Sequence, residues 1–223
     1  MVNLTRIYTR TGDSGTTRLG DFSETSKTDT RLAAYADVDE TNATIGVVLT
    51  TDVEDDVRRV LVHVQNDLFD VGADLCTPVV LDPEHPPLRI EQDYVDRLEG
   101  WCDQYNEDLP KLRSFILNGG TPTAAHLHLA RTVCRRAERA AWAAWADYAD
   151  SMNPLAITYL NRLSDLLFIL ARHANRAQGD VLWVPGGERS EPTDHAGGER
   201  SGSTDHAGGE RSEPTDHAGG ERE

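Results

Sequence analysis

The longest helical pattern in the chain runs from Thr123 to Tyr148, directly after a Gly-Gly pair and the dipeptide Thr121-Pro122. Glycine and proline at this point interrupt any preceding element and favour a new helix start. At about 100° per residue the apolar positions form one broad face. That face consists of Leu127, Ala130, Val133, Cys134, Ala137, Ala141, Trp145 and Tyr148. The pattern predicts a long amphipathic helix.

Three charged residues lie at or near the border of that apolar face. Arg131 and Glu138 fall on the border, and Arg135 falls about 40° further round the helix. Arginines four residues apart project the same way, and a guanidinium matches phosphate oxygens two at a time. Arg131 and Arg135, called the arginine pair below, therefore suit a polyphosphate ligand. A structural network of salt bridges between helices explains the same spacing.

Four further helices are predicted from apolar residues that recur at helical spacing. They cover residues 29–49, 53–75, 91–107 and 155–177, and Ser151 or Asn153 is the expected cap of the last one. Four prolines between residues 77 and 89 predict an irregular loop there.

Polar residues inside two of these helices have more than one interpretation. Asp39 is either an ordinary exposed charge or the carboxylate that fixes one of the central arginines. Asn161 and Asp165 share a helix face with Phe168 and need polar partners, which either the arginines or solvent supplies.

The N-terminal segment 9–21, TRTGDSGTTRLGD, combines glycine, hydroxyl side chains and arginine with almost no apolar residue. Closely spaced glycines let backbone N–H groups turn toward an anion, and Thr and Ser hydroxyls add donors. The segment lacks the GxxxxGK[ST] pattern of a Walker A loop. It is therefore either a loop that encloses a triphosphate or a flexible arm.

The charge balance excludes broad classes of partner. The chain carries 22 basic and 38 acidic residues, a formal net charge of −16, which argues against general binding to nucleic acid or anionic membranes. Only Lys27 and Lys111 are lysines, and this arginine-rich, acidic composition favours a protein adapted to concentrated salt.

Three widely spaced cysteines indicate reduced thiols, and no stretch reads as a leader or a membrane span. We expect a cytoplasmic protein.

The C-terminal segment repeats an eleven-residue unit, GGERSEPTDHA, from Gly186 onward. The units contain almost nothing to bury, so residues 186–223 are predicted to be disordered. One histidine recurs in each unit, at His195, His206 and His217. Weak metal chelation and simple duplication of a low-complexity tail both explain that spacing.

Four motifs, in this order, resemble the ATP:cob(I)alamin adenosyltransferases of the propanediol-utilisation (PduO) type. They are YTRTGDSGTT from Tyr8, AYADVDETNATIG from Ala34, FILNGGTPTAAHLHLARTVCRRAER from Phe115 and YLNRLSDLLFILAR from Tyr159. The resemblance covers residues 7–185. It implies an all-α, up-down five-helix bundle that assembles as a homotrimer with active sites between subunits. It also implies attack of a corrinoid's reduced cobalt on the 5′ carbon of ATP, with Mg²⁺ accompanying the ATP.

The resemblance assigns roles residue by residue. Phe115 matches the aromatic side chain set against the lower face of the corrin, and Asp39 matches an acid that pairs across the subunit interface with the arginine equivalent to Arg131. Asp165 and Arg136 lie in matching motifs without a defined role. Matches to ATP-site positions are Thr9, Arg10, Thr11, Gly12, Asp13, Gly15, Thr16, Thr17, Arg131, Arg135, Glu138 and Asn161. The family commonly has lysine where Ser14 stands, so Arg10 or Arg18 has to supply that phosphate contact or it is missing.

These expectations divide the chain into three parts: an ATP-enclosing arm (residues 1–28), a helical adenosyltransferase domain (29–185) and a tail (186–223). A reductase and an adenosylcobalamin-dependent enzyme are the expected protein partners. The rival hypothesis is a non-catalytic chaperone or sensor that binds cobalamin and nucleotide.

Overall fold

Five α-helices lie within residues 8–83 and 85–188, the part of the chain that the computed structural model describes. They are α1 (Thr30–Val48), α2 (Asp55–Cys76), α3 (Gln92–Asn106), α4 (Pro122–Tyr148) and α5 (Pro154–Ala174). The all-α bundle predicted from the sequence is confirmed, and each helix end lies within three residues of its expected position.

The long amphipathic helix α4 packs between α1 on one side and α5 on the other. Helix α2 packs against α1, and α3 packs against α5. Six of the eight predicted apolar positions of α4 are buried, and Trp145 and Tyr148 pack at the edge of the core. Five of the buried residues of α4 are alanines, at positions 124, 130, 137, 141 and 144, and small side chains allow close approach of neighbouring helices. The apolar face of α4 thus forms the centre of the bundle.

Local capping explains where the helices begin. Thr121 caps α4 through its hydroxyl, which accepts a hydrogen bond from the Ala124 N–H, and Pro122 occupies the first turn. Asn153 caps α5 in the same way, whereas Ser151 instead accepts a hydrogen bond from the buried Arg31. Of the two candidate caps for the last helix, Asn153 is therefore the cap.

Helix α5 ends at Ala174, three residues before its predicted end at 177. The side chain of the next residue, Asn175, accepts a hydrogen bond from the Thr121 N–H and donates one to the Gly119 carbonyl. Asn175 thereby ties the end of α5 to the start of α4, and the chain turns away at this point.

A short antiparallel hairpin in the arm was not predicted. Strand β1 (Thr16–Arg18) pairs with β2 (Glu24–Ser26), with Thr17 opposite Thr25. Both strands have three residues and no apolar alternation, so sequence periodicity carries no signal for them.

The chain divides into two units, Met1–Trp183 and Val184–Glu223. The described part of the second unit contains one turn of 3-10 helix, Gly186–Glu188. The predicted disorder of the repeat tail concerns residues that, from 189 onward, lie outside the described part.

Helix α5 is long and apolar enough, by length and composition alone, to cross a membrane. The prediction that no segment is long and apolar enough to span a membrane was therefore wrong for this helix. More than half of its most apolar window is buried in the bundle, as the core helix of a soluble protein would be. The signal is therefore weak evidence for a membrane span.

Candidate active site

The arginine pair lies on one side of α4, next to the loop that precedes this helix. Arg131 donates a hydrogen bond from Nη2 to Asn118 Oδ1 at 3.1 Å, and its guanidinium lies 5.7 Å from the ring centre of Phe168 on α5. Burial, together with the positive charge of Arg135, lowers the pKa of Arg131. Arg135 itself is exposed, and no carboxylate pairs with it in the described part of the chain. Two neighbouring cations without a carboxylate partner favour an anionic ligand over a structural salt-bridge network.

Glu138 and Asn161 meet between α4 and α5. The Asn161 amide donates to Glu138 Oε1 at 3.0 Å and its oxygen accepts from Arg162 at 3.2 Å. The two residues line a cleft of about 210 Å³ with Trp142, Ile157 and Thr158. The structure therefore brings together two of the residues to which the resemblance gives a role in nucleotide binding. Glu138 lies about one helical turn after Arg135.

Arg136 has a structural partner within the chain. Its guanidinium pairs with Glu40 and lies 3.5 Å from Asp37, so it joins α4 to α1. Asp165 pairs with Arg162 at 3.8 Å and is exposed. These contacts account for both residues without a ligand, although they lie in the motifs that resemble the family.

Asp39 is exposed on α1, between the two residues that bind Arg136. Its side chain makes no hydrogen bond or ion pair with any residue in 8–83 or 85–188. Within one chain the structure does not bring Asp39 and Arg131 together. The expected partner of Asp39 is an arginine of another subunit, so this pairing stays a prediction.

The glycine-rich part of the arm forms a tight loop ahead of β1. Gly15 has a φ of 84°, a left-handed conformation in which a side chain would be strained, and its N–H bonds to the Gly12 carbonyl. The Thr9 and Thr11 hydroxyls share a hydrogen bond of 2.8 Å. An open cleft of about 610 Å³ runs along this loop, lined by Thr11, Gly12, Thr16, Thr17, Arg18 and Glu24.

Lys27 brings a cation to this loop that the sequence interpretation missed. Its ammonium nitrogen lies 2.8 Å from the point where a Cβ on Gly12 would stand, and its backbone N–H bonds to the Gly15 carbonyl at 2.9 Å. Ser14, where the family commonly has lysine, is exposed on the same loop. Lys27 is one of only two lysines in the chain, which is the signal that could have drawn attention to it.

The hydrogen bonds between the arm and the bundle lie far from the arginine pair, at the ends of α2 and α4. The Gly20 N–H bonds to the carbonyl of Cys76 at the end of α2. Asp29, which follows the arm, accepts hydrogen bonds from Thr25 and from Tyr148 at the end of α4. The arm is therefore attached at the end of α4 that lies opposite Asn118.

Phe115 is exposed over 79% of its surface and lies on the loop before α4. The backbone of Phe115 and Leu117 bonds to Trp183 and Val181, which fixes the loop against the segment that follows α5. The Trp183 ring meets Phe115 edge to face, with centroids 6.1 Å apart. Together with the exposed Leu117, Val181 and Leu182, they form an apolar surface next to Asn118 and Arg131. Trp183 was not identified from the sequence.

Comparison with known proteins identifies the family. The model of the cobalamin adenosyltransferase family matches residues 7–174. The corrinoid adenosyltransferase of Mycobacterium tuberculosis is 62% identical over 190 residues, which cover 85% of this chain and 98% of that protein. The corrinoid adenosyltransferase of Bacillus subtilis is 36% identical, over 78% of this chain and 89% of its own length.

Solved structures with the same fold include two variants of a PduO-type ATP:corrinoid adenosyltransferase from Lactobacillus reuteri. One, complexed with cobalamin and ATP, superposes with a TM-score of 0.74 at 37% identity and covers 80% of this chain and 99% of that chain. Another, complexed with ATP, has a TM-score of 0.71 at 36% identity, with coverages of 80% and 100%. Fold, motifs and relatives agree, and the chain belongs to the cobalamin adenosyltransferase family.

Proposed function

We propose that this chain transfers the 5′-deoxyadenosyl group of ATP to the reduced cobalt of cob(I)alamin, giving adenosylcobalamin and triphosphate. The observation that carries the proposal is the arginine pair, which has no carboxylate partner among the described residues and lies beside an exposed apolar surface. Arginines suit the phosphates of ATP, and the apolar surface around Phe115 suits the face of a corrin. The relative solved with both cobalamin and ATP supports the same pair of substrates.

Two parts of the chain hold the nucleotide. The arm supplies hydroxyls and backbone N–H groups at Thr9, Arg10, Thr11, Gly12, Asp13, Gly15, Thr16 and Thr17. The bundle supplies Arg131, Arg135, Glu138 and Asn161. Lys27 adds a cation to the arm and takes the place of the lysine that Ser14 replaces. Its contact with the Gly12 loop supports this assignment.

The complete site needs a second subunit. In one chain the arm is attached at the end of α4 opposite Asn118, and Asp39 has no partner among the described residues. Both observations support a site shared between subunits, in which the arm of one subunit encloses ATP on the arginine pair of its neighbour. The resemblance to the family makes this assembly a homotrimer. Asp39 then pairs with Arg131 across the interface and positions it.

In the reaction, the electron pair of cobalt(I) attacks the 5′ carbon of ATP and forms the cobalt–carbon bond. The bond from that carbon to the triphosphate oxygen breaks, and triphosphate leaves with the electron pair. Cobalt is itself the nucleophile, so the protein needs no strong base. Its task is to align the two substrates and to stabilise the charge on the leaving triphosphate, which Arg131 and Arg135 do.

Magnesium accompanies the nucleotide. The described residues contain no group of three or more His, Cys, Asp or Glu side chains that could hold a metal by themselves. A nucleotide-bound Mg²⁺ needs only one or two carboxylates, because phosphates and water supply its other ligands. Glu138 at the cleft between α4 and α5 fits that requirement. When bound, the ion neutralises part of the triphosphate charge.

Phe115 acts on the corrinoid rather than on ATP. Its ring lies against the lower face of the corrin and prevents an axial base from binding to cobalt. The cobalt is then four-coordinate, and its electron pair is available for attack. Trp183 supports the ring from the side. The product leaves for an adenosylcobalamin-dependent enzyme, and a cytoplasmic reductase supplies the electron.

The test is an adenosylation assay with ATP and chemically reduced cobalamin. The change in corrinoid absorbance monitors the formation of adenosylcobalamin. The unaltered protein should form adenosylcobalamin, and Arg131→Ala should lose most turnover, about a hundredfold, because a charge-assisted phosphate contact is removed. Arg59→Ala, which removes an exposed arginine of α2, is the control and should react normally.

Two results would count against the proposal. Binding of both substrates without product would favour the chaperone or sensor. Equal rates for the unaltered protein and for Arg131→Ala would remove the arginine pair from the site.

A further inference from the structure

His128 lies on α4, three residues before Arg131, and is only 1% exposed. Neither of its ring nitrogens has a hydrogen-bond partner among the residues that the structure describes. A neutral imidazole carries one donor and one acceptor, and buried polar groups are almost always paired. This histidine therefore calls for an explanation beyond packing.

His128 and Arg131 contact the same aromatic ring. Phe168 on α5 lies 6.1 Å from the imidazole, in an edge-to-face arrangement, and 5.7 Å from the guanidinium of Arg131. Arg131 also keeps its Nε buried and without a partner in the described structure. A change in the charge near Arg131 therefore acts on His128 at close range.

The charged groups around His128 come from three places. On α4, Arg131 disfavours a positive charge on His128. On the segment after α5, Asp180 favours that charge, and its Oδ1 is buried without a partner within the described residues. On α5, Arg172 donates a hydrogen bond to Asp180 Oδ2 at 2.9 Å. Burial first, and Arg131 second, lower the pKa of His128, against the opposing charge of Asp180. Burial and Arg131 thus disfavour the charged imidazolium, whereas the charge of Asp180 favours it.

We propose that His128 takes up a proton when ATP binds to the arginine pair, so that nucleotide binding and protonation of this buried imidazole favour each other. The inference rests on the proposed function, because it requires the triphosphate to lie at Arg131. His128 does not contact the nucleotide itself, and it affects ATP binding through Arg131.

The direction of the effect follows from the charges. The triphosphate offsets the positive charge of Arg131, which is one of the two causes that keep the pKa of His128 low in the free protein. ATP therefore raises the pKa of His128, and by linkage protonation of His128 strengthens ATP binding. The gain in ATP affinity is complete below the pKa that His128 has in the free protein. It disappears as the pH rises through the higher pKa that His128 has in the ATP complex. Each unit of difference between the two pKa values is worth up to about tenfold in affinity.

The experiment is titration calorimetry of ATP binding near pH 6.5, in two buffers whose ionisation enthalpies differ, to count protons taken up per ATP. The proteins are the unaltered chain, His128→Gln and the control His126→Gln, which changes the partly exposed histidine two residues earlier on the same helix. The ionisation of ATP itself is common to all three and cancels in the comparison. We expect the unaltered protein and His126→Gln to take up more protons per ATP than His128→Gln. Equal uptake in all three would overturn the inference.

A second measurement needs no substitution at the buried site. The imidazole titration of His128, followed by ¹⁵N NMR, should move to higher pH on addition of ATP, and an unmoved midpoint would overturn the inference. Failure of the unaltered protein to bind ATP at all would overturn the proposed function as well. Normal ATP binding with no difference in proton uptake would overturn only the role of His128.

Discussion

Phe115 illustrates how much of the proposed chemistry depends on one side chain. It is an aromatic residue with most of its ring exposed, held by backbone hydrogen bonds to the segment after α5. The ring lies in a contiguous apolar patch with Leu117, Val181, Leu182 and Trp183, and such a patch marks a binding surface. The backbone contacts would survive removal of the ring, which allows a clean test.

We predict that Phe115→Ala binds ATP normally but converts corrinoid at least about tenfold more slowly, or about 1.4 kcal/mol in the barrier. The ring removed would lie against the corrin and not against the phosphates. ATP affinity by calorimetry and corrinoid turnover by absorbance check both halves of the prediction. Phe69→Ala on α2, which removes another exposed ring, is the control and should have no effect on turnover. Unchanged corrinoid turnover in Phe115→Ala would exclude Phe115 from the mechanism.

Some site residues were predictable from the sequence and others were not. The side of α4 that carries Arg131, Arg135 and Glu138 follows from helical spacing alone. Lys27 and Trp183 were missed because each reaches the site through backbone pairing between segments with no periodic pattern. The identity of the ligand came from the four motifs together, since the arginine spacing is equally compatible with salt bridges.

At the level of the elements, Asp29 connects the arm to the bundle. Its carboxylate caps α1 by accepting from the Arg31 N–H at 2.8 Å. It also accepts from the hydroxyls of Thr25 in β2 and Tyr148 at the end of α4, both at 2.8 Å. Burial, the largest single influence, works to raise the pKa of Asp29, but these hydrogen bonds together hold the pKa below its ordinary value.

We predict that Asp29→Ala lowers the free energy of unfolding at neutral pH by about 1 to 2 kcal/mol, the usual loss for a helix cap. Because the folded-state pKa lies below the unfolded one, this stabilisation is present above about pH 4 and disappears as the pH falls through the folded pKa. Denaturant unfolding from about pH 7 down to pH 3 should show the two proteins converging in stability. Tyr148→Phe, which removes one of the three hydrogen bonds, should give a smaller difference. A gap that stays constant with pH would contradict this role of Asp29.

Elements were predictable where the apolar pattern is strong, as in all five helices. Their ends shifted where distant side chains intervene, and Asn175 at the end of α5 is the clearest case, because its partners Gly119 and Thr121 lie more than 50 residues away. The hairpin β1–β2 was missed for a different reason, since three-residue strands are stabilised by pairing and not by a hydrophobic face.

At the scale of the whole molecule, charge and assembly remain predictions. With a formal net charge of −16, like charges repel one another across the surface, and salt screens that repulsion. We predict that raising KCl from about 0.1 M to 2 M increases the melting temperature by several degrees. Thermal unfolding followed by circular dichroism checks this, with NaCl at the same ionic strength as the control, which should raise the melting temperature equally because screening depends on ionic strength. A melting temperature that does not change or falls would contradict adaptation to salt.

The measurement that tests the central claim most directly is a crystal structure of the assembled protein with ATP and magnesium. We predict phosphate oxygens within about 2.7 to 3.1 Å of the guanidinium groups of Arg131 and Arg135. Lys27 and the glycine-rich loop of a neighbouring subunit should close over the same phosphates. ATP bound at a site remote from both arginines would contradict the account.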